Sequence, residues 1–330
     1  MIPAGALWLA NPTAALSGEI AALRQSRWRY LYRPVQRDAS TVAKRYPIDG
    51  ITTGTKYQVQ VENIGKKRIS VPGLPTRLIC ETAGSCDGGF AAALGARLVE
   101  MGEIVEFASN GATGQGYLAT PVSGTGIPVV VIQEWWGLVP HIKSVCDRFA
   151  AEGFVALAPD LYHGRTVDEP DEAGKEMMAL ELDRAGRDMG GAVDELLRRT
   201  GASGVGVVGF CMGGGLALVL ACQRPDAVRA VAPCYGIIPW PDAEPDYSAM
   251  TAAVEGHYAE LDGFFTPEAA NALGEKLRSL GKEARIVVHP GADHAFFNDE
   301  RPEVYNAVEA QELWRSVVSF FSSRLDGSSA

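Results

Sequence analysis

Long apolar runs, paired cysteines and clustered histidines are all missing from this chain, and each absence excludes something. No stretch approaches the roughly 18 apolar residues that a membrane-crossing helix needs, so no membrane partner is expected. The 6 cysteines are scattered without a CxxC, and the 5 histidines join them in no cluster. Neither a disulfide framework nor a zinc site is therefore expected, and no metal or organic cofactor is implied. The N-terminus has no basic segment followed by an apolar core, so no secretory leader is read there. A reducing cytoplasm is the expected location, and it suits unpaired thiols.

What is present reads as a globular protein: 330 residues, 47% hydrophobic and 21% charged. That length allows one large α/β domain with an appendage. Charge divides the chain. The first 100 residues hold 13 Lys+Arg against 7 Asp+Glu, which leaves 17 against 33 for residues 101–330. An acidic main body argues against nucleic acid as its partner.

Residues 1–100 show a basic stretch from Arg24 to Arg45, weak alternation over Ile51 to Val61, and breaks at Pro72, Pro75, Gly84, Gly88 and Gly89. A small accessory domain, a basic extension and translation from an upstream start all fit. A complete domain begins near Met101, so the expected division is 1–100 and 101–330. From there the pattern sharpens. Strands are expected at 102–109 and 116–120 around the Asn110-Gly111 turn, then at 128–132 and 154–158 with a helix over 141–152 between them. A long helix over 171–199 follows. Strands at 205–210, 228–233, 252–257 and 284–289 alternate with helices at 271–280 and 303–321. Buried strands alternating with helices mean a mostly parallel, doubly wound sheet flanked by helices, with its site at the carboxyl ends of the strands.

The chemistry centres on Val205–Gly215, a β-branched strand, a glycine turn and an apolar helix. Gly209 and Gly213 flank Cys211 in the G-x-nucleophile-x-G pattern of a strand–turn–helix elbow. Such a turn holds the central side chain above the sheet edge at a helix N-terminus, where free N–H groups favour an anion. A nucleophile needs a base and the base needs an orienting acid, which follow in the order nucleophile, acid, histidine. His294, in the loop 290–296 beyond the last strand, is the expected base, with His289 in reserve and His257 structural. Asp262 is the expected acid and Glu260 its local rival; Asp242 and Asp246 read as turn residues. Ile132-Gln133-Glu134-Trp135-Trp136 places a carboxylate and two indoles after a buried strand, natural for a pocket wall. The N–H groups of Trp135 and Met212 are the expected oxyanion donors, and Trp136 the expected pocket wall.

Together VVVIQEWWGL (129–138), ALAPDLYHG (156–164), GVVGFCMGGG (206–215), GHYAELDGFFTP (256–267) and HPGADHAFFNDERPEVYN (289–306) resemble the dienelactone hydrolase (carboxymethylenebutenolidase) family. The resemblance implies an α/β-hydrolase fold and a hydrolase of carboxylic esters or lactones, with a small-molecule substrate and a monomer or homodimer. It implies a Cys211–His294–Asp262 triad and a Glu134 that contacts the thiol. Ala295 and Asn298 stand where the family has a serine and a carboxylate-gripping arginine; Arg184 and Arg187 are candidates for a second such arginine. A ligand-binding protein that keeps the pocket without turnover is the alternative.

Overall fold

The computed structural model describes residues 102–240 and 243–325, and ahead of them only the backbone of five strands. Those are β1 (Lys44–Ile48), β2 (Tyr57–Ile64), β3 (Lys66–Ser70), β4 (Thr76–Cys80) and β5 (Leu98–Glu100), each antiparallel to the next. The alternation read over Ile51 to Val61 partly coincides with β2. The remaining expectations for residues 1–100, and Asp242, lie outside the described residues.

The main sheet begins with β6 (Glu103–Ser109) and β7 (Ala112–Ala119), a hairpin turning at Asn110 and Gly111. Both turn residues have positive φ, 40° and 88°, as a tight two-residue hairpin requires. Then come β8 (Ile127–Ile132), helix α1 (Pro140–Ala151), β9 (Phe154–Pro159), α2 (Pro170–Met178) and α3 (Leu182–Thr200). The elbow strand β10 (Val205–Phe210) runs into α4 (Met212–Gln223). The chain closes with β11 (Val228–Cys234), β12 (Ala253–Ala259), α5 (Pro267–Ser279), β13 (Ala284–His289) and α6 (Ala307–Leu325). The strand order is β13-β12-β11-β10-β8-β9-β7-β6, parallel from β13 to β9 and antiparallel at β7 and β6. This is the expected mostly parallel sheet flanked by helices.

The central strands explain the packing. Every residue of β9, β10 and β12 is buried, as in sheets covered on both faces. Helix α4 is apolar all round and correspondingly buried. On one face α1 and α6 meet through Phe149 and Trp314, whose ring centroids are 4.5 Å apart. Among the described residues no helix is long and apolar enough to cross a membrane.

Three helix boundaries differ from expectation. The helix over 171–199 is two helices, broken at Ala179-Leu180-Glu181, residues that all favour a helix. Leu180 packs against the core there, so tertiary contact overrides propensity. Helix α5 starts four residues earlier, at Pro267, because the Thr266 hydroxyl caps Ala269 N–H. Helix α6 starts later, after Asn306, whose side chain accepts from Glu309 N–H.

Candidate active site

Cys211 sits between the last residue of β10 and the first of α4, at φ 55° and ψ −121°. Such a conformation in a non-glycine residue costs on the order of 1–3 kcal/mol and persists only when its surroundings hold it. Here they do. The Cys211 N–H donates to the Cys234 carbonyl at 3.0 Å, and its own carbonyl accepts from Gly214 N–H at 2.9 Å. A Cβ on Gly209 would fall onto the Gly213 carbonyl, and one on Gly236 onto the Cys211 carbonyl, so both close approaches demand glycine. Met212 opens α4, and the first N–H groups of a helix have no partner within it.

The loop after β13 brings up the imidazole. His294 Nε2 lies 3.2 Å from Cys211 Sγ, and Nδ1 lies 2.8 Å from Asp262 Oδ2. Asp262 comes from the loop after β12, with its side chain fully shielded from solvent. Its other oxygen accepts the N–H groups of Phe264 at 2.7 Å and Phe265 at 3.0 Å. A carboxylate accepts, so Nδ1 carries the proton toward Asp262 and Nε2 faces the sulfur. Burial opposes charge on His294, but Cys211 and Asp262 outweigh it and hold the imidazole well above the ordinary histidine range. The arrangement can hold a thiolate–imidazolium pair and move a proton at Nε2.

The other candidates separate cleanly. His289 is buried, with Nε2 on His257 Nδ1 at 3.0 Å and Nδ1 on Glu309 Oε2 at 2.8 Å. Both nitrogens are engaged away from Cys211, so it is no reserve base. Burial holds its pKa below the ordinary value. His257 lies within β12 and continues that chain to Glu255 at 3.2 Å, a structural place as expected. Glu260 accepts the Gly291 N–H at 2.7 Å and so braces the histidine loop rather than His294. Asp246 caps a short turn at Ser248 N–H. Arg184 and Arg187 are exposed on α3, and neither hydrogen bonds the Cys–His–Asp row.

Glu134 is buried, as a pocket residue would be, and the hydrogen bond to the thiol comes from His294. Glu134 Oε1 accepts from the Tyr235 hydroxyl at 3.3 Å and Oε2 from Asn298 Nδ2 at 2.8 Å. Two neutral donors thus satisfy the carboxylate. Trp135 and Trp136 follow it, edge to face at 5.1 Å, with Trp136 buried beneath the Arg301 guanidinium at 5.3 Å. The loop is pinned by Val167 N–H on the Trp136 carbonyl at 3.1 Å.

Two site residues had no role in the sequence reading. Tyr235, at φ 37° just past β11, lays its ring edge-on to His294 at 5.5 Å. Burial, then the Glu134 carboxylate, keep its phenol protonated far above the usual range. Tyr162, also buried, points its hydroxyl at Met212 Sδ, 3.6 Å away. The available signal was position: each follows a buried strand at the carboxyl edge of the sheet.

Comparisons with known proteins agree with this architecture. The dienelactone hydrolase family model matches residues 115–325. "Protein usf" of Aquifex pyrophilus is 40% identical over 235 residues, covering 68% of this chain and 100% of its own length. A "Putative carboxymethylenebutenolidase" of Aquifex aeolicus is 37% identical over 238 residues, with the same coverage. Among solved structures, a "Putative Dienelactone Hydrolase" from Klebsiella pneumoniae is 26% identical with a TM-score of 0.62, covering 67% of this chain and 98% of that one. The sheet order is thus that of an α/β-hydrolase, and the chain belongs to the dienelactone hydrolase family.

Proposed function

We propose that the protein hydrolyses carboxylic esters or lactones through a Cys211–His294–Asp262 triad and a thioester intermediate. The observation that carries this reading is the continuous row from Sγ to Nε2 at 3.2 Å and from Nδ1 to the Asp262 carboxylate at 2.8 Å. The Cys211 thiolate attacks the carbonyl carbon. The oxyanion that forms is held by the N–H groups of Met212 and Trp135. As the intermediate collapses, the departing alkoxide takes the proton from His294 Nε2. The imidazole then removes a proton from water, the hydroxide attacks the thioester, and collapse releases the acid and restores the thiolate and imidazolium. Asp262 keeps the Nδ1 proton in place throughout, so that one tautomer serves both half-reactions. Glu134 positions Tyr235 and Asn298 around this row.

The chemistry is placed in residues 101–330. The test is hydrolysis of p-nitrophenyl acetate by wild type and Cys211→Ala. The reading expects loss of turnover in the variant, and equal rates refute it. Iodoacetamide should label Cys211 of the wild type well below pH 8. An unlabelled Cys211 with no turnover would instead mark a ligand-binding protein.

A further inference from the structure

We propose that the site takes uncharged esters or lactones with an apolar acyl portion and rejects acyl groups that carry a carboxylate. This rests on the hydrolase reading above and names its substrate class. The first support is the mouth of the site. Leu261 and Phe264, on either side of Asp262, are 61% and 55% exposed. The Phe264 ring lies 5.3 Å from the His294 imidazole and that of Phe265 lies 5.9 Å from it. The exposed Phe264 ring beside a reactive imidazole gives an acyl chain an apolar surface to cover. Trp135 and Trp136 offer a second apolar wall on the loop after β8.

The second support is the charge around the row. Asp262 and Glu134 are both buried there. Their hydrogen-bond donors are backbone N–H groups, one imidazole, one phenol and one amide; among the described residues no lysine or arginine bonds either. The neighbouring cations are already engaged: Arg301 covers Trp136 and pairs with Glu303 at 2.9 Å, and Arg165 pairs with Glu176 at 2.5 Å. After burial, the groups that raise the Tyr162 and Tyr235 phenols are likewise acidic: Cys211 and Glu176 on the first, Glu134 and the cysteines on the second. A substrate carboxylate would therefore enter beside buried carboxylates whose one cationic neighbour, the His294 imidazolium, is already paired with Cys211 and Asp262. At about 7 Å from one such charge, with an effective dielectric of about 20, it is disfavoured on the order of 50-fold.

The experiment compares p-nitrophenyl hexanoate with the p-nitrophenyl monoester of adipic acid, two acyl chains of equal length that differ in a terminal carboxylate. The expected kcat/KM is on the order of ten- to hundredfold higher for the hexanoate, with a ratio that narrows as salt is added. Phe264→Lys should narrow the ratio further by supplying a cation at the mouth. Phe264→Ala should flatten the rise in kcat/KM from acetate to hexanoate. Equal or preferred turnover of the adipate ester by wild type overturns the proposal while leaving the hydrolase intact. If Cys211→Ala turns over both esters as wild type does, the hydrolase reading itself has failed.

Discussion

Replacing Asn298 by aspartate tests how the site tolerates its buried acid. Asn298 Nδ2 donates to Glu134 Oε2 at 2.8 Å, and both side chains are buried. Asn298→Asp exchanges that donor for a second carboxylate. Two charges about 4 Å apart at an effective dielectric of about 20 repel by about 4 kcal/mol, and a lost hydrogen bond to a charged group adds about 1.5–3 kcal/mol. Taking up one proton relieves both effects, because the protonated acid donates where the amide did. At pH 7, protonating a carboxyl of ordinary pKa near 4 costs about 4 kcal/mol, and at pH 5 only about 1.4 kcal/mol. The folded variant thus binds one proton that its unfolded chain does not, so its stability relative to wild type falls as pH rises. The slope is up to about 1.4 kcal/mol per pH unit between pH 5 and 7. Urea unfolding followed by tryptophan fluorescence at pH 5, 6 and 7 measures it. Asn298→Ala, which removes the donor without adding charge, should cost about 1–3 kcal/mol, equally at each pH. A deficit in Asn298→Asp that does not change with pH would refute the reasoning.

Three further outcomes are expected. Asp262→Asn presents an amide to Nδ1 and frees the wrong tautomer, so kcat for p-nitrophenyl acetate should fall on the order of a hundred- to ten-thousandfold, with an unchanged circular dichroism spectrum. His294→Ala removes the group that pairs with the thiolate and should slow iodoacetamide alkylation of Cys211 at pH 7 by at least about tenfold, read by mass spectrometry. His289 has its folded pKa depressed by burial, so its contribution to stability is complete above about pH 6.5 and is lost as pH falls from there through the folded value. The wild-type urea midpoint should therefore drop between pH 6.5 and 5, and His289→Gln should flatten that drop.

Much of the fold was legible in the chain, for reasons that are local. Val205–Phe210 and Phe154–Pro159 read as buried strands because β-branched and apolar runs of that length have no other stable use. The helix break at Ala179–Glu181 was invisible, because the reason for it is the packing of Leu180 against a core assembled from distant segments. The start of α6 at Ala307 was also missed, since Asn306 takes its capping position through a backbone bond to the Phe296 carbonyl.

By itself the sequence determined where the sharp turn lies and in what order sulfur, carboxylate and imidazole are presented, because glycine spacing and strand–helix alternation act through short-range sterics. Tertiary structure alone decided which groups meet. It set His294 rather than His289 against the sulfur, and it turned Glu134 toward Tyr235 and Asn298. Those partners are more than a hundred residues from Glu134 along the chain. They meet because β8, β10 and β11 are neighbours in the sheet and the loop after β13 folds back over their ends. A hydrogen bond depends on tenths of an ångström between side chains, and only the packed sheet defines positions to that tolerance.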